Sequence, residues 1–134
     1  MKEFMKPMIY TAERKQPEQI AAGTYKGLDY YVLSLGTHPC GYVNVVGTKL
    51  YGKDYDDIDI ECHGGLTYAN KSLRTVNDTG WFIGFDYAHY GDYMGYDSLY
   101  SFDLTSDDKR WTTEEIVEEC KNVIEQIIRL ENEI

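Results

Sequence analysis

The run Gly80-Trp81-Phe82-Ile83-Gly84-Phe85 is apolar at odd and even positions alike. A strand with one wet face alternates, whereas a strand covered more fully does not. This run therefore predicts an interior strand of a sheet, covered on at least one side. It passes directly into Asp86-Tyr87-Ala88-His89-Tyr90-Gly91-Asp92, a stretch of carboxylate, imidazole and phenol groups. Core and candidate site thus meet within one short segment.

The rest of the chain supplies partners for that strand. Asp29 to Leu35 and Gly41 to Val46 are rich in strand formers, and Gly36 and Pro39 punctuate the gap between them. Asp57 to His63 alternates, with Ile58, Ile60 and Cys62 on one side and Asp57, Asp59, Glu61 and His63 on the other. Gly64-Gly65 then predicts a hairpin turn into Leu66 to Ala69. Residues 1–13 read as a tail or edge strand, and Asn70 to Thr79 as a loop. Pro17 to Ala22, closed by Gly23, predicts one or two helical turns.

The clearest local pattern lies at 113–132. Thr112 and Glu115 form a capping box, and Trp111 and Ile116 occupy the positions of a hydrophobic staple. Ile116, Val117, Cys120, Val123, Ile124, Ile127 and Ile134 keep helical spacing. Glu114, Glu115, Glu118 and Glu119 cluster at the end where the helix dipole favours negative charge. The expected fold is α+β: an antiparallel or mixed sheet of about five strands with a long C-terminal helix across the Trp81 strand, in a single domain spanning 1–134. The isoleucine-rich face packs on this sheet or on a second subunit.

Charge narrows the partners. The 134 residues carry a net charge of −10. Residues 54–62 hold Asp54, Asp56, Asp57, Asp59 and Glu61 without a base. Such a surface repels nucleic acid and anionic lipid, so a partner bound by charge is basic. No apolar run reaches membrane-spanning length, and residues 1–10 lack the apolar core of a secretory signal. Cys40, Cys62 and Cys120 form no CxxC pair, which fits reduced thiols in a cytoplasmic setting.

Five kinds of chemistry fit the residues. Asp86, His89 and Asp92, spaced by three, with His63, could converge as a metal or acid–base cluster, carboxylate and imidazole suiting a divalent transition metal. Asp59 and Glu61 share the His63 side. Cys40, with His38 two residues before it, is a candidate nucleophile, and a small buried thiol is its plainer reading. Tyr87, Tyr90, Tyr93, Tyr96 and Tyr100, interleaved with glycines and aspartates, resemble a recognition loop. The row Asp57, Asp59, Glu61 repeats at roughly 6.7 Å and would mimic a polyanion. A pocket beneath Trp81, Phe85 and Tyr68 would serve a small ligand. The expected binding set is His63, Tyr68, Asp86, His89, Tyr90, Asp92, Tyr93 and Tyr96. No cofactor is expected, and a divalent metal is the alternative.

On His38-Pro39-Cys40-Gly41-Tyr42-Val43, Tyr55-Asp56-Asp57-Ile58 running to His63-Gly64-Gly65-Leu66-Thr67-Tyr68, and Trp81 to Asp86 with Ala88-His89 and Gly91-Asp92, the chain resembles a family of small uncharacterised proteins of phages, prophages and related bacterial genomes. Trp111-Thr112, with Glu118, Glu119 and Cys120, extends the likeness to about residue 126. The resemblance implies no catalytic residue. It implies a context: a small acidic protein in the host cytoplasm that counters antiviral defence by binding a protein effector or a signalling molecule. A metal-dependent hydrolase is the alternative.

Overall fold

The sequence Lys26-Gly27 sets the first hairpin. Both residues have positive φ (49° and 86°), the conformation of a two-residue turn whose twist matches paired strands. That turn joins β2 (Glu18–Tyr25) to β3 (Leu28–Ser34), with Tyr25 opposite Leu28 and Ala22 opposite Tyr31. In this computed structural model, which describes residues 3–8, 17–36, 38–92 and 108–133, the remaining elements are β1 (Phe4–Met5), β4 (Pro39–Asn44), a short 3-10 turn (Tyr55–Asp57), β5 (Tyr68–Asn70), β6 (Phe82–Asp86) and helix α1 (Thr113–Glu131). The strands form one antiparallel sheet in the order β1-β2-β3-β4-β6-β5.

The helical turns expected at 17–22 are strand instead. Pairing with β3 overrides the local Pro and Gly signals. Gly23 is not a helix stop: a Cβ there would lie 2.3 Å from the Tyr30 hydroxyl, so the glycine makes room for that ring. A bulge between Gln19 and Ala21 lets Ile20 and Ala21 both join the cluster under the helix.

Two apolar layers flank the sheet. Tyr30, Val32, Val43, Ile83, Phe85 and Tyr87 pack beneath α1 with Ile116, Val117, Cys120, Val123, Ile124 and Ile127. On the opposite face Tyr31, Leu33, Cys40, Tyr42 and Phe82 pack with Leu73, from the 71–78 segment. This explains the unbroken hydrophobicity of 80–85, since both faces of β6 are covered. The helix rests on β2, β3 and β4 rather than squarely on the Trp81 strand. Gly41 allows this approach: a Cβ there would lie 2.5 Å from Phe85 Cζ and 3.0 Å from Cys120 Sγ. The capping box at Thr112 and Glu115 is formed in full.

The segment 57–63 keeps the expected alternation but joins no sheet. Ile58 and Ile60 are buried, while Asp57, Asp59 and Glu61 are exposed. Its backbone bonds to helix side chains instead. Glu61 N–H donates to Gln126 Oε1 (2.8 Å), Gln126 Nε2 donates back to Glu61 O (2.6 Å), and His63 N–H donates to Glu119 Oε2 (3.0 Å). Gly64-Gly65 is a turn, with φ of 68° and 81°, but not of a hairpin. β5 pairs with β6, while helix side chains take up backbone groups of Glu61 and His63. No helix among the described residues is long and apolar enough to cross a membrane.

Candidate functional site

Strand alternation divides the residues that leave β6. Phe82 and Gly84 share the face opposite the helix, and Asp86 follows them there. Phe85 and Tyr87 lie beneath α1. The ladder runs on through Tyr87 N–H to Pro39 O (3.1 Å), then breaks into a tight turn closed by Asp92 N–H to His89 O (2.9 Å). The Gly64 turn meets this one at the end of the sheet.

Asp92 is the centre of the junction. It is 6% exposed, and its carboxylate accepts from three donors. His63 Nε2 lies 2.8 and 3.0 Å from its two oxygens, His89 N–H donates to Oδ2 (3.0 Å), and Trp111 Nε1–H donates to Oδ1 (2.8 Å). An ionised carboxylate only accepts, so His63 carries its proton on Nε2. Burial by itself would raise the Asp92 pKa. The His63, His89 and Trp111 hydrogen bonds outweigh burial and hold it below the ordinary carboxylate value. The His63 ring stacks on Tyr87 at 4.2 Å and meets Trp111 edge-on at 4.8 Å.

His89 is placed by contact with Gly64. A Cβ on Gly64 would lie 2.1 Å from His89 Nε2, so no larger residue leaves the ring where it is. That nitrogen lies 3.1 Å from Asp86 Oδ1 without the alignment of a hydrogen bond. Asp86 also accepts from Thr67 Oγ1 (2.8 Å) and Ala88 N–H (3.1 Å). The two imidazoles lie 5.9 Å apart between ring centres. Among the described residues, no group of three or more His, Cys, Asp and Glu side chains is arranged to hold a metal ion.

The other candidates fall elsewhere. Cys40 stands opposite Asp86 in the β4–β6 register and is buried, and burial pushes its thiol up to about 12. Burial also lowers the pKa of His38, which feels the charge of Asp86. Cys40 and His38 line a hollow of about 220 Å³ with Leu35, Tyr42, Thr67 and Tyr68. Phe85 and Asp86 complete it, so Tyr68 and Phe85 share a pocket as expected. Trp81 does not join them: it lies against Tyr51 and donates from Nε1 to Lys53 O (2.8 Å). Asp59 and Glu61 are exposed, Asp59 lining a separate hollow with Lys49 and Lys53. Tyr90 stands fully exposed on the turn. Tyr93, Tyr96 and Tyr100 lie outside the described residues.

Trp111, Thr67 and Gly64 are the members the sequence reading did not place here. Trp111 read only as a helix staple. Its indole N–H was the available signal, since a buried tryptophan N–H seeks an acceptor. No family model matches this chain, and no curated protein or solved structure matches it either.

Proposed function

We propose that this protein acts by binding, with the 86–92 turn as its contact surface and a basic macromolecule as its partner. The observation that carries this reading is the contrast at the turn. Asp92 knots the backbone at 89–92 to His63 and Trp111, while Tyr90 projects wholly into solvent from that fixed frame. A rigid turn displaying a bare aromatic ring loses little entropy on contact. The acidic surface supports the basic character of the partner. The resemblance to phage proteins supports a host antiviral effector as that partner and the host cytoplasm as the place of action.

The test is affinity capture from host extract with wild type and Tyr90→Ala side by side. The reading expects a partner that wild type retains, that Tyr90→Ala loses at least tenfold, and that added salt releases. Identical retention by both proteins would sink it.

The second reading is a metal-dependent hydrolase, supported by the 5.9 Å approach of His63 and His89 with Asp86 and Asp92 beside them. It expects stoichiometric zinc uptake that His89→Ala abolishes. Titration calorimetry without a zinc-binding heat would remove it.

A further inference from the structure

The first turns of α1 carry Glu114, Glu115, Glu118 and Glu119, paired at a spacing of four residues along the helix. With Trp111 and Tyr87 they line a groove of about 430 Å³. That volume is in the range of roughly 300–1,000 Å³ typical of small-ligand sites. Two of the carboxylates are engaged. Glu115 caps Thr112 and pairs with Lys109, and Glu119 accepts from His63 N–H and from Asn122. Glu114 is exposed and Glu118 extends into solvent beside Lys121.

Acidic residues alone would mark only a solvated helix face. Two further features set this groove apart. Tyr87 is 1% exposed, it lines the groove, and its hydroxyl has no hydrogen-bond partner among the described residues. Among charged groups, Glu119 acts on it most strongly. A phenylalanine would fill the same space without burying an unpartnered hydroxyl. The second feature is Lys109. Its ammonium lies 4.1 Å from the centre of the Trp111 ring and 2.7 Å from Glu115 Oε2. The chain's own cation thus already uses the combination of aromatic face and carboxylate that this groove offers.

We infer that the groove receives a guanidinium group, presented on an arginine-bearing segment of the protein partner. Trp111 and the Tyr87 ring supply the aromatic wall. Glu114 and Glu118 supply the charge, and the Tyr87 hydroxyl accepts one guanidinium N–H. A guanidinium suits the groove better than an ammonium because it is planar, stacks, and carries several donors in a fixed fork. This deepens the binding reading and rests on it. It adds a second contact, on the helix side of the Asp92 knot.

The probe is a fluorescein-labelled Gly-Arg-Gly-Arg-Gly-Arg-Gly peptide, with its citrulline counterpart as the uncharged isostere, followed by anisotropy in 150 mM NaCl. The arginine peptide is expected to bind at least tenfold more tightly than the citrulline peptide. Tyr87→Phe should weaken it at least fivefold while melting at or above the wild-type temperature, since it removes an unsatisfied group. The double variant Glu114→Gln/Glu118→Gln should weaken it at least tenfold. Three results overturn the inference: equal binding of the two peptides, wild-type affinity in Tyr87→Phe, or an equal loss in the far-end variant Glu131→Gln/Glu133→Gln, which would mean general attraction to an acidic chain. Free argininamide binding as tightly as the peptide would overturn the peptide source in favour of a free small molecule. Tyr90→Ala separates the two readings, because it tests the turn and leaves the groove intact.

Discussion

Replacing Asp92 by Asn tests the knot at its centre. The substitution keeps shape and removes the charge and one acceptor. Oδ1 of Asp92 serves Trp111, Oδ2 serves the His89 amide, and both face His63 Nε2. Whichever way the amide is turned, its NH2 opposes one of those N–H groups. One charge-assisted bond is lost, at about 1.5–3 kcal/mol, and a buried donor is stranded, at about 1–3 kcal/mol. Relief of the desolvated charge offsets part of this. The expected net loss is roughly 2–4 kcal/mol. At roughly 3–5 °C per kcal/mol for a domain of this length, the melting temperature should fall by about 6–20 °C. The pH dependence supplies the sharper check. The folded-state pKa of Asp92 is depressed, so its contribution is fully present above the unfolded value of about 3.9 and is lost as pH falls through the folded value. Urea unfolding of both proteins from pH 7 to pH 2.5 should therefore show a gap that is constant down to about pH 4 and then closes. No gap at pH 7, or a gap that widens in acid, would refute the assignment of Asp92 as the charged hub.

Two further outcomes follow from other parts of the site. Gly64→Ala and Gly65→Ala both place a side chain at positive φ, but only at Gly64 would the new Cβ strike His89. Both should lose about 1–2 kcal/mol to backbone strain, and Gly64→Ala alone should shift the His89 ring resonances in NMR spectra; similar spectra for the two variants would dismiss the packing argument. The thiols of Cys40 and Cys62 are each raised to about 12 by burial, so native protein at pH 7.5 should resist iodoacetamide and label fully only in denaturant. Rapid labelling of Cys40 in the folded state would reopen its role as a nucleophile.

Legibility in the sequence followed the range of the interactions. Helix α1 was readable almost to the residue because its cap, staple and spacing are all local. The interior place of β6 was readable because its apolar residues fall on both faces, although that pattern required cover on only one side and the structure supplies it on two. Gly23 and Gly64 misled for one reason. Each is glycine because a distant ring, Tyr30 or His89, needs the space, and a sequence does not reveal what approaches from elsewhere. The alternation at 57–63 correctly assigned the buried and exposed sides but not the partner. An extended segment with one buried face looks the same whether its backbone bonds to a strand or to Gln126 and Glu119 of a helix. The meeting of His63 with His89 was open in the sequence: the spacing of three relates Asp86, His89 and Asp92 to one another and does not place His63 beside them. The part of Trp111 was not, since its acceptor lies 19 residues away across the fold.

The order of elements has a consequence for biosynthesis. α1 follows every described strand, and its apolar face packs over Tyr30, Val32, Val43 and Phe85 on one side of the sheet. Until its residues leave the ribosome, that oily surface stays bare and the backbone of Glu61 and His63 lacks its acceptors. A nascent chain in this state is a client for chaperones. Ribosomes that stall before the helix would release a sticky fragment, and the cell would meet it as an aggregation hazard rather than as a weakened version of the finished protein.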